Sequence, residues 1–244
     1  MKIGGANTIL RAVTNPLKNN YLVRGTRCAV AAVALGACGG HHGQTVPEPT
    51  APLPTAGIAA QQVSVLPLTL IAAEEQLHWD SLLSERRVAL SRGDSVIGSL
   101  LRARAPEVTW VLPDELRRVA RRAPGIAPNP DQMGSSILLH GSSRDPEMVP
   151  DPLRSELRTI SALAGSGGGR YALIPAGLVF RRSGGPAGAR SATAAAGAAT
   201  AELTVVIVDV RTGRVDFRTV ARGEGDDPWT ALTRALKSLT PGVP

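Results

Sequence analysis

Hydrophobic positions follow two regimes along the chain. Before residue 63 they show no period beyond one apolar run, and after it they switch between strand-like and helix-like spacing. The run Val63-Ser-Val-Leu-Pro-Leu-Thr-Leu-Ile71 reads as a strand, with Pro67 marking an edge position or a bulge. A short helix over residues 80–87 precedes a firmer one starting at Asp94, whose carboxylate suits an N-cap. That helix places Val96, Ile97, Leu100 and Leu101 on one face. Glu107-Val-Thr-Trp-Val-Leu112 predicts a second strand, and Pro113-Asp114-Glu115 opens a helix with proline in its first turn. Residues 123–150 read as loop, with a short element around Ile137-Leu-Leu139. Asp151-Pro152 then caps a helix carrying Leu153, Leu157, Ile160 and Leu163.

The last third is strand-rich. Tyr171 to Phe180 is a long strand interrupted by Pro175 and Gly177, and Leu203 to Val210 is apolar enough for a central strand buried on both faces. Arg211-Thr-Gly-Arg214 is a hairpin turn in which Gly213 takes positive φ, and Val215 to Ala221 returns. Asp227-Pro228 starts a final helix with Trp229, Leu232, Leu236 and Leu239 inward and Pro241 as its stop. Residues 183–201 carry no large apolar side chain and read as a mobile loop. The predicted order is β-α-β-α-α-β-β-β-α, an α/β fold with a single mixed β-sheet of about five strands covered by helices.

These elements fill one domain, residues 63–244. Residues 38–62, rich in Pro, Gly, Thr and Ala, read as a tether. Residues 1–37 hold five basic and no acidic side chains and end in the ten-residue apolar run Cys28–Ala37, the pattern of an export signal peptide. Leu35-Gly36-Ala37-Cys38 resembles the lipobox of bacterial lipoproteins, in which the cysteine thiol receives diacylglycerol and the peptide is cut before it. The resemblance implies that Cys38 is the lipid-attachment residue. It also accounts for a mature chain whose one cysteine would otherwise be an unpaired exported thiol. The basic leader of 27 residues is long, and a start at Val23 would give a conventional short signal.

Composition narrows the classes. The 27 Lys+Arg against 20 Asp+Glu give a net charge of +7, which invites a nucleic-acid reading. Five of those cations precede Cys38, however, so the mature chain is nearly neutral and the nucleic-acid inference falls. The three Trp and two Phe are scattered, without a base-stacking platform. No apolar run approaches the roughly 20 residues of a spanning helix, which excludes a multi-pass membrane protein. Two cysteines exclude a disulfide framework.

Candidate chemistry is sparse. His41 and His42 sit in the tether without the further ligands a closed metal site needs, and His78 and His140 have no ligand neighbour at a recognisable spacing. No metal or cofactor is expected. Ser166-Gly-Gly-Gly169-Arg170 runs from helix into strand, the reverse of a phosphate-binding loop, and reads as a connector. Glu224, Asp226 and Asp227 lack calcium-loop spacing, and Asp227 suits a helix cap. Arg92-Gly93-Asp94 spells an adhesion tripeptide, with Asp94 already assigned to capping. Arg117, Arg118, Arg121 and Arg122, with Arg102 and Arg104 nearby, form the best basic patch. It is either a solvated helix face or a partner-binding surface for lipid headgroups, glycan phosphates or an acidic protein.

Three features occur together: the Val63-Ser-Val-Leu-Pro-Leu68 strand, the helix leading into Tyr171-Ala-Leu-Ile-Pro-Ala-Gly177, and Val206-Ile-Val-Asp-Val-Arg-Thr-Gly-Arg-Val215 followed by a Trp-containing helix. This layout resembles the superfamily of envelope lipoprotein domains that includes the penicillin-binding-protein activator LpoB, the curli-secretion lipoprotein CsgG and the amino-terminal domain of TolB. The resemblance implies a mixed α/β sandwich and docking in envelope assembly, with no catalytic residues to carry over. The expectation is a non-catalytic binding or assembly module in the cell envelope. It would be held to a bilayer by acylated Cys38, on the periplasmic side of the outer membrane, and would act on an envelope protein partner. An envelope-polymer hydrolase using His78, Asp80 and His140, or a small-ligand or glycan carrier with an apolar cavity, are the alternatives.

Overall fold

The computed structural model describes residues 50–140, 148–165, 168–183 and 199–240. All of them lie within one compact unit from Pro47 to Pro244. In chain order the elements are α1 (Thr55–Ile58), β1 (Gln62–Val65), β2 (Ile71–Ala73), α2 (Asp80–Leu83), α3 (Arg86–Arg104), β3 (Thr109–Val111) and α4 (Pro113–Arg122). Then follow α5 (Leu153–Leu163), β4 (Tyr171–Arg182), β5 (Ala199–Asp209), β6 (Arg214–Gly225) and α6 (Pro228–Leu239). Short 3-10 turns cover Glu75–Leu77, Pro130–Gln132 and Ser135–Leu139.

The strands form one mixed sheet ordered β3-β1-β4-β5-β6, with β2 also beside β4. β1 is parallel to both β3 and β4, β2 is parallel to β4, and β4, β5 and β6 are antiparallel in succession. The α/β class and the single mixed sheet expected from the sequence are therefore what the chain forms, with six strands for about five.

The sixth strand comes from the first apolar run. Residues 63–71 do not make one strand: the ladder stops at Val65 and resumes at Ile71, each part pairing with a different half of β4. Pro67 has no N–H to donate, and the Leu68 N–H points instead to Asp94 Oδ1 at 2.7 Å. A bulge likewise shifts the β4–β5 register between Pro175 and Gly177. The hairpin turn forms as expected, with Gly213 at φ +79°.

Helices cover both faces. On one, Val63, Val65, Leu173, Phe180, Leu203 and Ile207 pack with Ile97 and Leu101 of α3 and Leu232 and Leu236 of α6. On the other, Ala172, Ile174, Val206 and Val208 pack with Leu116 of α4 and Leu157 and Ile160 of α5. β5 contributes to both layers, and each fully buried Leu, Ile or Phe contributes about 1.5–3 kcal/mol. Gly223 and Gly225 let α6 lie directly on β6: a Cβ at Gly223 would meet the backbone of Ala231 and Ala235.

Three expected boundaries move. The tether does not reach residue 62, because Leu53 and Ile58 are buried in the core and the Leu53 N–H donates to the Leu239 carbonyl. The loop 183–201 ends early, since Ala199, Thr200 and Ala201 already pair with β6, and residues 184–198 lie outside the described residues. The third is the start of α3. Asp94 is not an N-cap, because α3 begins eight residues earlier and Asp94 is buried at its middle. The signal peptide and Cys38 also lie outside the described residues.

Both sheet edges are blunted. β3 is three residues long. Along β6, the Thr50 hydroxyl donates to the Val220 carbonyl and accepts from the Arg222 N–H, Arg234 donates to the Glu224 carbonyl, and Val149 N–H donates to the Gly213 carbonyl.

Candidate functional site

The crossover from β1 to β3 runs through α3 on one face, and that from β3 to β4 runs through α4 and α5 on the other. Chains leaving neighbouring parallel strands for opposite faces open a crevice at the strands' carboxyl ends, where open α/β sheets bind ligands. Here the crevice is a surface cleft of about 800 Å³. Its walls are Leu68 and Thr69 after β1, Arg86, Arg87 and Leu90 of α3, Asp114 and Arg117 of α4, and Asn129 with Asp131 on the following turn. A smaller hollow of about 380 Å³ adjoins it, sharing Arg117, Asn129 and Asp131 and adding Arg121.

Arg117 organises the cleft. Its Nη2 lies 2.7 Å from Asp94 Oδ2 and 2.7 Å from Asp131 Oδ1, its Nη1 2.9 Å from Asp114 Oδ1, and its Nε donates to Asp131. One guanidinium thus ties together α3, α4 and the Asn129–Asp131 turn, which the Asn129 side chain fixes further by accepting the Asp131 N–H. These carboxylates, Asp131 first, hold Arg117 firmly protonated. Asp94 behaves oppositely. Burial raises its carboxyl from the ordinary 3.8 to about 6, against the opposing pull of the Leu68 N–H and Arg117. Thr69 is fixed too, its hydroxyl 2.8 Å from that of Ser135 and its carbonyl accepting from Arg86.

The three carboxylates around Arg117 are balanced at the rim by Arg86, Arg87 and Arg121. The cleft therefore presents both signs of charge beside amide and hydroxyl groups, an arrangement suited to hydrogen-bonded recognition rather than to steering of one charge. Both oxygens of Asp94 are occupied, so its raised pKa stands in a structural clasp.

The four arginines of the predicted patch separate. Arg117 turns inward with its side chain 21% exposed, Arg118 pairs with Glu115, Arg121 lines the hollow, and Arg122 is exposed. Arg102 is exposed, while Arg104 grips the carbonyl and hydroxyl of Thr240. His78, Asp80 and His140 are each exposed. His41 and His42 lie outside the described residues. Arg92-Gly93-Asp94 lies inside α3, with Gly93 and Asp94 buried and Arg92 4.7 Å above the Trp229 ring. Asp227 caps α6 as expected, accepting from the N–H groups of Trp229 and Thr230. Among the described residues no group of three or more His, Cys, Asp or Glu is placed to hold a metal, and no helix is long and apolar enough to cross a membrane.

Sequence reasoning passed over Asp131 and Asp114 as site residues. The available signal was Asp114, three residues before Arg117 on one helix face. Comparison of the chain with protein families, with curated proteins and with solved structures finds no match.

Proposed function

We propose that the protein is a cell-envelope lipoprotein, anchored through acylated Cys38, whose α/β domain is a non-catalytic binding or assembly module that receives an envelope protein partner at the α3–α4 cleft. The observation that carries the anchoring is the sequence Leu35-Gly36-Ala37-Cys38 closing an apolar run behind a basic leader. Two or three acyl chains on one cysteine, at about 0.8 kcal/mol per buried methylene, make a stable anchor. Gly39 in place of the aspartate that marks inner-membrane retention in enteric bacteria favours the outer membrane. The fold agrees with the mixed α/β sandwich that the resemblance to envelope lipoprotein domains implies.

The binding role rests on the cleft at the strand switch point, pre-organised by Arg117. Its volume also favours a second reading, a lipoprotein that carries a small ligand or glycan there. Fractionation of cells expressing Cys38→Ala tests the anchor: the protein should leave the membrane fraction or accumulate unprocessed, and unchanged membrane partition refutes it. Chemical crosslinking in intact envelopes tests the module. One protein adduct should form with the wild type and be lost with Arg87→Glu and Arg121→Glu, and persistence in both variants removes the cleft from the proposal.

A further inference from the structure

A second cavity, of about 340 Å³, lies between α5, the start of β4 and the β5–β6 turn, and is lined by Arg158, Arg170, Arg211, Gly168, Gly169 and Val210. We infer that it is an anion site for a phosphate monoester, a doubly charged oxyanion on a small organic group. Three arginines line it, and Asp209 is the one carboxylate paired with any of them among the described residues. Asp209 is buried. It takes Arg170 Nε at 2.8 Å and accepts the N–H groups of Arg211 and Thr212, which fixes the turn and holds Arg170 5.1 Å over the Tyr171 ring. Arg158 Nη2 donates to the Arg211 carbonyl at 2.7 Å. Neither Arg158 nor Arg211 has a carboxylate partner among the described residues.

The contrast with Arg117 decides the chemistry. Arg117 itself pairs with three carboxylates, whereas the three arginines here share one, leaving an excess of two positive charges among the described residues. A phosphate monoester carries about −1.5 to −2 at pH 7 and offers oxygens that match the fork of arginine donors, so it neutralises that excess where a diester with one charge would not. The carboxyl end of α5 opposes an anion by about half a charge, less than the cationic excess, and Gln62 Nε2 already satisfies the Ala164 carbonyl at 2.9 Å. The volume leaves room beyond the phosphate for a group the size of a sugar ring. The assignment is independent of Cys38 and of the cleft.

Titration calorimetry of the full chain in detergent, with inorganic phosphate and glucose 1-phosphate as probes, tests it. Saturable one-to-one binding is expected, weakened about tenfold or more by Arg158→Gln and by Arg211→Gln. Arg182→Gln, the same charge change on exposed β4, should leave it unaltered. Vesicles containing phosphatidylglycerol separate the sources: soluble monoester should displace any binding mediated by Arg158 and Arg211. The Arg211 side chain has no hydrogen-bond or ion-pair partner among the described residues, so Arg211→Gln should keep the wild-type melting temperature and report on binding alone. Absence of saturable binding, equal weakening by Arg182→Gln, or vesicle binding that Arg158→Gln and Arg211→Gln abolish but soluble phosphate does not displace would each overturn the assignment.

Discussion

Asp94→Asn isolates the energetic cost of the clasp under the cleft. The carboxylate is buried in mid-helix, accepts the Leu68 N–H at 2.7 Å and pairs with Arg117 at 2.7 Å, yet desolvation lifts its pKa to about 6. A carboxyl whose pKa is higher in the folded than in the unfolded chain binds protons more readily when folded. Its contribution is therefore fully present below the unfolded value near 3.8 and is lost as pH rises through about 6. The gap between those values converts to about 3 kcal/mol. Asparagine is isosteric, can still accept the Leu68 N–H and cannot ionise, so it stands in for the protonated aspartic acid. Urea unfolding of both proteins from pH 4 to pH 8 should show the difference in stability moving in the variant's favour by about 2.5 kcal/mol across that range. Comparing differences cancels carboxylates common to both proteins, such as Asp209 and Glu202, whose pKa values are lowered. A flat difference, or one moving in favour of the wild type with rising pH, would show that Arg117 outweighs burial and would refute the reasoning.

Other perturbations follow from single contacts. Leu53→Ala should cost about 2–5 kcal/mol in chemical denaturation, because the side chain is 6% exposed and belongs to the core; a surface-like loss under 0.5 kcal/mol would return residues 50–62 to the tether. Gly223→Ala should cost about 3 kcal/mol or more, or prevent folding, since the added Cβ would reach the α6 backbone; an unchanged melting temperature would show that α6 can move away. Asp227→Ala should cost about 1 kcal/mol by removing the α6 cap. Hydrogen bonds from Thr230 first, and from Trp229, hold the Asp227 carboxyl below its ordinary range. This stabilisation is therefore present above pH about 4 and fades on acidification, and the penalty measured at pH 7 should shrink at pH 2.

The parts of this fold that were legible in the sequence are those specified locally. β4, β5 and β6 are long runs of β-branched and apolar residues with a glycine turn between the last two, and α6 announces itself through Asp227-Pro228. What failed depended on distant partners. An aspartate before an apolar helical stripe looks the same whether it caps the helix or is buried within it; only Arg117, 23 residues away, and the amide freed by Pro67 decide between them. Leu53 and Ile58 have no periodic neighbours, and their burial is set by the far end of the chain at Leu239. The arginines of α4 likewise look equivalent in sequence, and buried Asp94 together with the turn carrying Asp131 singles out Arg117.

On the lipoprotein reading, the burial of Leu53 and Ile58 also shortens the tether. From Cys38 to Thr50 there are twelve residue steps, spanning at most about 40 Å when fully extended, half the reach of a tether ending at residue 62. Thr50 is bound to Val220 and Arg222 of β6 and lies within reach of Ser238 of α6, so the chain joins the domain along the β6 edge. The cleft stands at the carboxyl ends of β1 and β3, and β3 is the opposite edge, four strand spacings or about 19 Å away. The described chain therefore begins at the edge opposite the cleft. A photo-crosslinking residue at Arg87 on the cleft rim should label protein in native membranes, as a cleft that receives a protein partner requires. Labelling of lipid alone at that position would remove the cleft from the proposal.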